Sequence, residues 1–185
     1  AEARKLPTNI VALLKCRAPT AHPMEVLQGT VPALSDDDPD LQDSSREALV
    51  RMSLRLIART GMVVAAWYNI RQGREVNPVD DDVSHASAFL QALWGKKPNA
   101  DEVRLMDLLL VLHAEHTFNA STFAVREVAS TRAHLYASVA AGVGALSGAL
   151  HGGANARVMD MLQEVGDKAN VESWVTKRIN DGKRV

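Results

Sequence analysis

Cysteine is almost missing from this chain. Cys16 is the single thiol in 185 residues, which excludes an internal disulfide and with it a small disulfide-stapled scaffold. One unpaired thiol fits a reducing, cytoplasmic setting of the bacterial type. Aromatics amount to only 4%, and alternating β-branched runs are equally scarce, which argues against a β-sandwich or barrel. Charge of one sign is also lacking. The 21 basic and 22 acidic residues leave a formal net charge of -1, so neither nucleic acid nor an anionic membrane surface is attracted to the chain as a whole. A local pocket for a small anion is still compatible with that balance. No stretch is long and apolar enough to predict a membrane span; residues 133–151 carry no formal charge but are rich in Ala, Ser and Gly. The first 15 residues hold no long apolar core of the kind a signal peptide needs.

Hydrophobic residues reach 46%, and Ala, Leu, Met and Arg dominate, so an all-α fold is predicted. Pro7 opens a short helix over 7–17, and His22-Pro23 the next, over roughly 22–34. The acidic loop Ser35–Asp40 contains the breaker Pro39. Ser44 and Glu47 have capping-box spacing and predict a helix to about Gln72. Leu49, Met52, Leu56, Val63, Ala66, Trp67 and Ile70 lie on its core face, and Gly73 stops it. A short helix ends at Gly95. Asn99 and Glu102 then cap a helix whose apolar residues cover nearly the whole circumference from Leu105 to Leu112, which predicts burial. After Asn119 one helix runs to about Ser130. Another spans roughly 131–147 and is dense in Ala, Gly and Ser, which lets backbones pack closely, in the core or across a dimer interface.

Two constellations stand out chemically. His113, Glu115 and His116 form a polar end on an apolar helix. The i, i+3 histidine spacing differs from the i, i+4 pair of metalloprotease helices, so no metal is expected there. Polar groups clustered at such a helix end cap something or bind something. The second constellation is His151, followed by Gly152-Gly153, with a helix predicted from about Ala154. The glycines permit close approach of another molecule. The helix directs free N–H groups and the positive end of its dipole toward the same space. An imidazole placed there can polarise a carbonyl that is becoming an enolate, or the site can take a carboxylate or phosphate.

Longer stretches carry more than spacing. "LHAEHTFNASTFAVR" (Leu112 to Arg126), followed by "GALSGALHGGANARVMDML" (Gly144 to Leu162), strongly resembles the citrate synthase family, which includes 2-methylcitrate synthase. "RKLPTNIVALLK", "AHPMEVLQGTVPAL" and "WVTKRINDGKRV" resemble it in the same order. The resemblance implies a multi-helical fold with a cleft between a large and a small domain. Residues 1–147 would be part of the large domain, and residues 148–185 the beginning of the small one. It implies condensation of oxaloacetate with acetyl-CoA to citrate and CoA, with no metal or prosthetic group, in a homodimer formed through helices including 131–147.

By the same resemblance, His151 would hydrogen-bond the thioester carbonyl and steady the enolate. His116 would contact oxaloacetate, with Asn119 beside it. Gly152, Gly153 and Asn155 would support the turn, and His113 would be structural. Glu115 stands where relatives commonly carry aspartate. The family's Gly-Phe-Gly-His-Arg-like motif and its catalytic aspartate are not in these 185 residues; His22, His85 and His134 do not sit in matching motifs. The expectation is therefore an internal fragment of an acyltransferase, inactive by itself. The alternatives are a piece of a 2-methylcitrate synthase using propionyl-CoA, a non-catalytic helical module acting through a protein interface, or, least favoured, a metal-dependent hydrolase using His113 and His116.

Overall fold

A computed structural model describes residues 2–152 and 154–183, with the backbone alone at 154–156. Among the described residues every regular element is helical, as an all-α fold requires. The chain divides into two compact units, Ala1–Leu146 and Ser147–Val185.

The first unit is organised around α3 (Arg46–Ile70), a helix of 25 residues. Its predicted start shifts by one residue. Ser45, not Ser44, is the N-cap, its hydroxyl accepting from Ala48 N at 3.2 Å. Asp43 sets that register by accepting from Ser45 N at 2.8 Å. The core stripe holds at Met52, Leu56, Val63, Ala66 and Trp67, all buried, but Leu49 is 42% exposed. Ahead of α3 come α1 (Thr8–Lys15) and α2 (Pro23–Thr30). His22 caps α2 through Nδ1, which accepts from Met24 N at 3.3 Å. The predicted helix over 22–34 is shorter than expected, because Pro32 has no N–H to continue it. A 3-10 turn over Pro32–Ser35 follows instead. Ile10 and Leu14 of α1 and Val26 of α2 are essentially inaccessible, each contributing about 1.5–3 kcal/mol of burial.

α4 (His85–Trp94) is capped by Ser84 and closed by Gly95, whose φ of 71° is one that glycine adopts without strain. Its Ala88 and Ala92 pack against Met62 and Ala65 of α3 in a second, smaller core. The buried Asn69 ties the two helices together, its Nδ2 donating to the Ala65 and Ala92 carbonyls at 2.9 and 3.1 Å. α5 (Ala100–Leu112) carries the predicted Asn99–Glu102 capping box in both directions. Its predicted burial does not hold. Leu105, Leu108, Val111 and Leu112 are 52–65% exposed, and none of the helix's residues is buried. The periodicity reported apolar residues around the whole circumference, but within this unit the helix packs mainly on α4.

α6 (Ala120–Ser130) and α7 (Leu135–Leu146) form a tightly paired hairpin, and α7 also packs on α2. The small residues of α7 are used within the unit. A Cβ at Gly142 would stand 2.5 Å from Val125 Cγ2 of α6, and one at Gly144 would overlap the Gln28 amide of α2.

A charged knot closes this unit. Arg55 of α3 donates to Asp38 through Nε at 2.8 Å and Nη2 at 2.6 Å, and also to Asp40. Arg51 Nη2 donates to Asp40 at 2.6 Å. Tyr136 of α7, fully buried, donates its hydroxyl to Asp38. Burial by itself would raise the Asp38 carboxyl, but hydrogen bonds from Arg55 and Tyr136 outweigh it and hold the group below its usual range. Burial, then the Asp38 contact, pushes the Tyr136 phenol up to about 12.

The second unit contains α8 (Ala154–Val165), a 3-10 turn at Lys168–Asn170 and α9 (Val171–Asn180). Glu164 of α8 accepts from Trp174 Nε1 and Arg178 Nη1 of α9, both at 3.3 Å. The Arg178 guanidinium lies 4.7 Å from the Trp174 ring centroid.

Candidate active site

The residues singled out in the sequence fall on two turns, one in each unit. The first turn joins α5 to α6. α5 ends because His113 takes the C-cap position, with φ -102° and ψ 1°. Its ring Nδ1 lies 2.7 Å from the Leu109 carbonyl. A carbonyl can only accept, so that nitrogen carries a proton, and the ring adds a second donor to a carbonyl that already accepts the His113 backbone N–H at 3.2 Å.

From there the backbone turns sharply. Thr117 has φ 52°, a left-handed conformation that a β-branched residue adopts only under strain of about 1–3 kcal/mol. The Glu115 carboxylate holds it by accepting from Thr117 N. Asn119 then caps α6, its Oδ1 accepting from Thr122 N at 2.9 Å, and its Nδ2 reaches back to the His116 carbonyl at 3.5 Å. The sequence thus brings His116 and Asn119 onto one short turn, with His116 exposed. The carboxylate at position 115, although exposed, shapes that turn.

A cation that the spacing argument did not single out stands beside this turn. Arg126, one and a half turns into α6, places its guanidinium 5.0 Å from the Phe118 ring centroid, while Phe118 meets Phe123 edge-on at 5.9 Å. Its position at the end of "HTFNASTFAVR" was the available signal. An arginine held against an aromatic face keeps its charge and its planar donor set available to an anion.

The second turn precedes α8. His151 N donates to the Gly148 carbonyl at 2.9 Å, and the imidazole is half-buried. It lies three residues ahead of Ala154, the first residue of a helix of 12 residues. Gly152 is likewise half-buried. Arg157 Nη1 donates to the Ala149 carbonyl at 3.0 Å, fastening the first turn of α8 to the segment ahead of it. Gly153 and the Asn155 side chain lie outside the described residues. Among the described residues no three His, Cys, Asp or Glu side chains cluster closely enough to hold a metal ion. No helix among them is long and apolar enough to cross a membrane.

Comparison with known proteins identifies the family. The family model for "Citrate synthase, C-terminal domain" matches residues 1–185. A citrate synthase of Deinococcus radiodurans is 35% identical over 182 residues, 98% of this chain and 48% of the relative. One of Synechocystis is 40% identical over 189 residues, 98% of this chain and 46% of the relative. A 2-methylcitrate synthase of Corynebacterium glutamicum is 34% identical over 187 residues, 98% of this chain and 49% of the relative. The crystal structure of citrate synthase from Pyrobaculum aerophilum superimposes with a TM-score of 0.84 at 37% identity, covering 91% of this chain and 44% of that one. The chain spans about half the length of the curated relatives it matches.

Proposed function

This chain belongs to the citrate synthase family, and from that premise we propose that the whole protein condenses oxaloacetate with acetyl-CoA, giving citrate and CoA. The observation that carries the proposal is the placement of His151 on a glycine turn immediately ahead of α8. There the imidazole donates a hydrogen bond to the thioester oxygen. As a base removes a proton from the acyl methyl group, the electron pair moves onto that oxygen, and the hydrogen bond and the helix dipole both stabilise the developing charge. The enolate carbon then attacks the oxaloacetate ketone, and hydrolysis of the thioester releases CoA. His116 binds oxaloacetate from the α5–α6 turn, with Asn119 fixing the backbone at His116 and Arg126 adding a cation for a carboxylate.

No metal or prosthetic group enters this chemistry. The base and the second histidine that the family uses are not in these 185 residues, so the chain by itself turns over neither substrate. The enzyme works in the cytoplasm as a homodimer through helices including 131–147, to which α3 adds Leu54, Ile57 and Val64, exposed apolar residues. Sedimentation of the complete enzyme checks the assembly; a monomer at micromolar concentration would refute it.

Citrate formation by the complete enzyme, with acetyl-CoA and propionyl-CoA as competing substrates, tests the reaction. Acetyl-CoA is expected to give the larger kcat/KM. A ratio strongly favouring propionyl-CoA would assign the protein to the 2-methylcitrate synthases, to which its relative in Corynebacterium glutamicum belongs by name. One methylene in a pocket is worth about 1–3 kcal/mol, so the two kcat/KM values should differ by about 10–200-fold. His116→Ala should raise the KM for oxaloacetate by about tenfold or more, the worth of one hydrogen bond to a charged group, and change the KM for acetyl-CoA much less. Equal effects on both would remove His116 from the oxaloacetate site.

A further inference from the structure

Among the described residues, Thr117 and Arg132 have a positive φ without being glycine, and only Thr117 is β-branched. A β-branched residue leaves the left-handed region unless its surroundings hold it there. The Thr117 side chain is exposed, so its own packing does not supply the hold. The His116 ring is exposed as well, so packing around the imidazole does not set its direction.

Two neighbouring side chains hold the backbone instead. The peptide group between His116 and Thr117 is gripped at both of its polar ends. Its N–H donates to the Glu115 carboxylate, and its carbonyl accepts from Asn119 Nδ2 at 3.5 Å. Asn119 is itself fixed, because its Oδ1 accepts from Thr122 N in the first turn of α6. The carboxylate makes the stronger grip, since a charged acceptor strengthens a hydrogen bond. A peptide group is planar. Holding both ends therefore fixes ψ of His116 together with φ of Thr117, and with them the direction in which the His116 Cα–Cβ bond leaves the chain.

We propose that Glu115 is a positioning residue: its carboxylate holds the His116–Thr117 peptide in the strained turn and thereby presents the His116 imidazole to oxaloacetate. The inference rests on the reading of His116 as an oxaloacetate ligand. Glu115 acts through the backbone and not by touching the substrate. Without its carboxylate, Thr117 relaxes toward an ordinary φ and the turn that presents His116 becomes a minor conformer. Oxaloacetate then binds more weakly in proportion to the population lost.

Steady-state kinetics of the complete enzyme, with amide hydrogen exchange resolved at Thr117, test the clamp. Glu115→Ala is expected to raise the KM for oxaloacetate by about 5–10-fold, to change the KM for acetyl-CoA by less than about twofold, and to speed exchange of the Thr117 N–H. Glu115→Gln loses the charge and keeps an acceptor oxygen, so its KM should lie closer to wild type than to Glu115→Ala. In a Thr117→Gly background the Glu115→Ala change should cost about twofold or less, because glycine takes a φ near 52° without strain. In a His116→Ala background it should add almost nothing, because its effect passes through that ring. A purely electrostatic Glu115 would make Glu115→Gln as costly as Glu115→Ala and would find no relief in the glycine background; either result overturns the proposal. Unchanged Thr117 exchange in Glu115→Ala, or an undiminished cost with His116 absent, overturns it too. If His116→Ala leaves the KM for oxaloacetate unchanged, the reading of His116 as a ligand fails and the proposal with it. If His116→Ala weakens oxaloacetate and Glu115→Ala does not, the proposal alone fails. Should Glu115→Ala not fold, Glu115→Met, which keeps the length and lacks the acceptor, is read in its place.

Discussion

Replacing His151 by alanine in the complete enzyme is expected to lower kcat by about 10²–10³-fold, the usual consequence of losing one hydrogen-bond donor aimed at a developing oxyanion. Oxaloacetate binding should change far less, because the proposed donor acts on the acyl thioester. The two effects separate cleanly in a measurement of acetyl-CoA methyl proton exchange, which reports enolisation alone, alongside a binding titration with oxaloacetate. His151→Gln keeps a donor of similar reach and should recover part of the exchange rate. Normal turnover in His151→Ala would show that the imidazole ahead of α8 plays a part in the turn and none in the reaction. The variant keeps the backbone N–H that donates to the Gly148 carbonyl, and thermal unfolding of His151→Ala beside wild type separates a loss of fold from a loss of chemistry.

The second large effect concerns stability. Asp38→Ala removes the acceptor shared by Arg55 and Tyr136, leaving a fully buried phenol without its acceptor and Arg55 with Asp40 as its remaining carboxylate. Breaking a buried pair on one side typically costs about 3–5 kcal/mol, and because Arg55 keeps Asp40, denaturant unfolding should read a loss toward the lower end of that range. Tyr136→Phe removes only the hydroxyl and keeps the Arg55–Asp38 pair, so its cost should be smaller, about 1–3 kcal/mol.

The pH dependence has a definite sign. The Asp38 carboxyl is held below its ordinary value in the folded chain. Its contribution is therefore complete above the unfolded pKa of about 3.9 and is lost as pH falls through the lower folded value. The gap between wild type and Asp38→Asn should be constant at neutral pH and shrink on acidification below about pH 4. A gap that widened toward low pH would contradict the assignment of Asp38 as the ionised centre of the knot.

Much of this architecture was legible in the sequence because local chemistry fixed it. The Asn99–Glu102 box, Gly95 at the end of α4, and the Met52–Trp67 stripe each depend on spacing within one helix, and each appears where expected. The failures share another cause. Ser44 and Ser45 are equally good caps by type, and the choice between them is made by Asp43, one residue outside the pattern. The burial of α5 depends on what surrounds it, and periodicity measures the helix without measuring its neighbours. The knot was missed entirely. "SDDDPD" reads as a solvated acidic loop, and nothing local indicates that Asp38 meets a tyrosine nearly a hundred positions later. On the first turn, His113 and Asn119 were legible because one ends α5 and the other caps α6, and His116 falls in the loop between them. Arg126 could not, because its place beside Phe118 follows from the turn that Thr117 makes.

That long reach has a consequence during synthesis. The hydroxyl of Tyr136 meets a carboxylate 98 residues upstream, so α1, α2 and α3 leave the ribosome well before the residue that seals them. At about 5–20 residues per second, several seconds separate the synthesis of Asp38 from that of Tyr136, and until then the buried contacts of that ring cannot form.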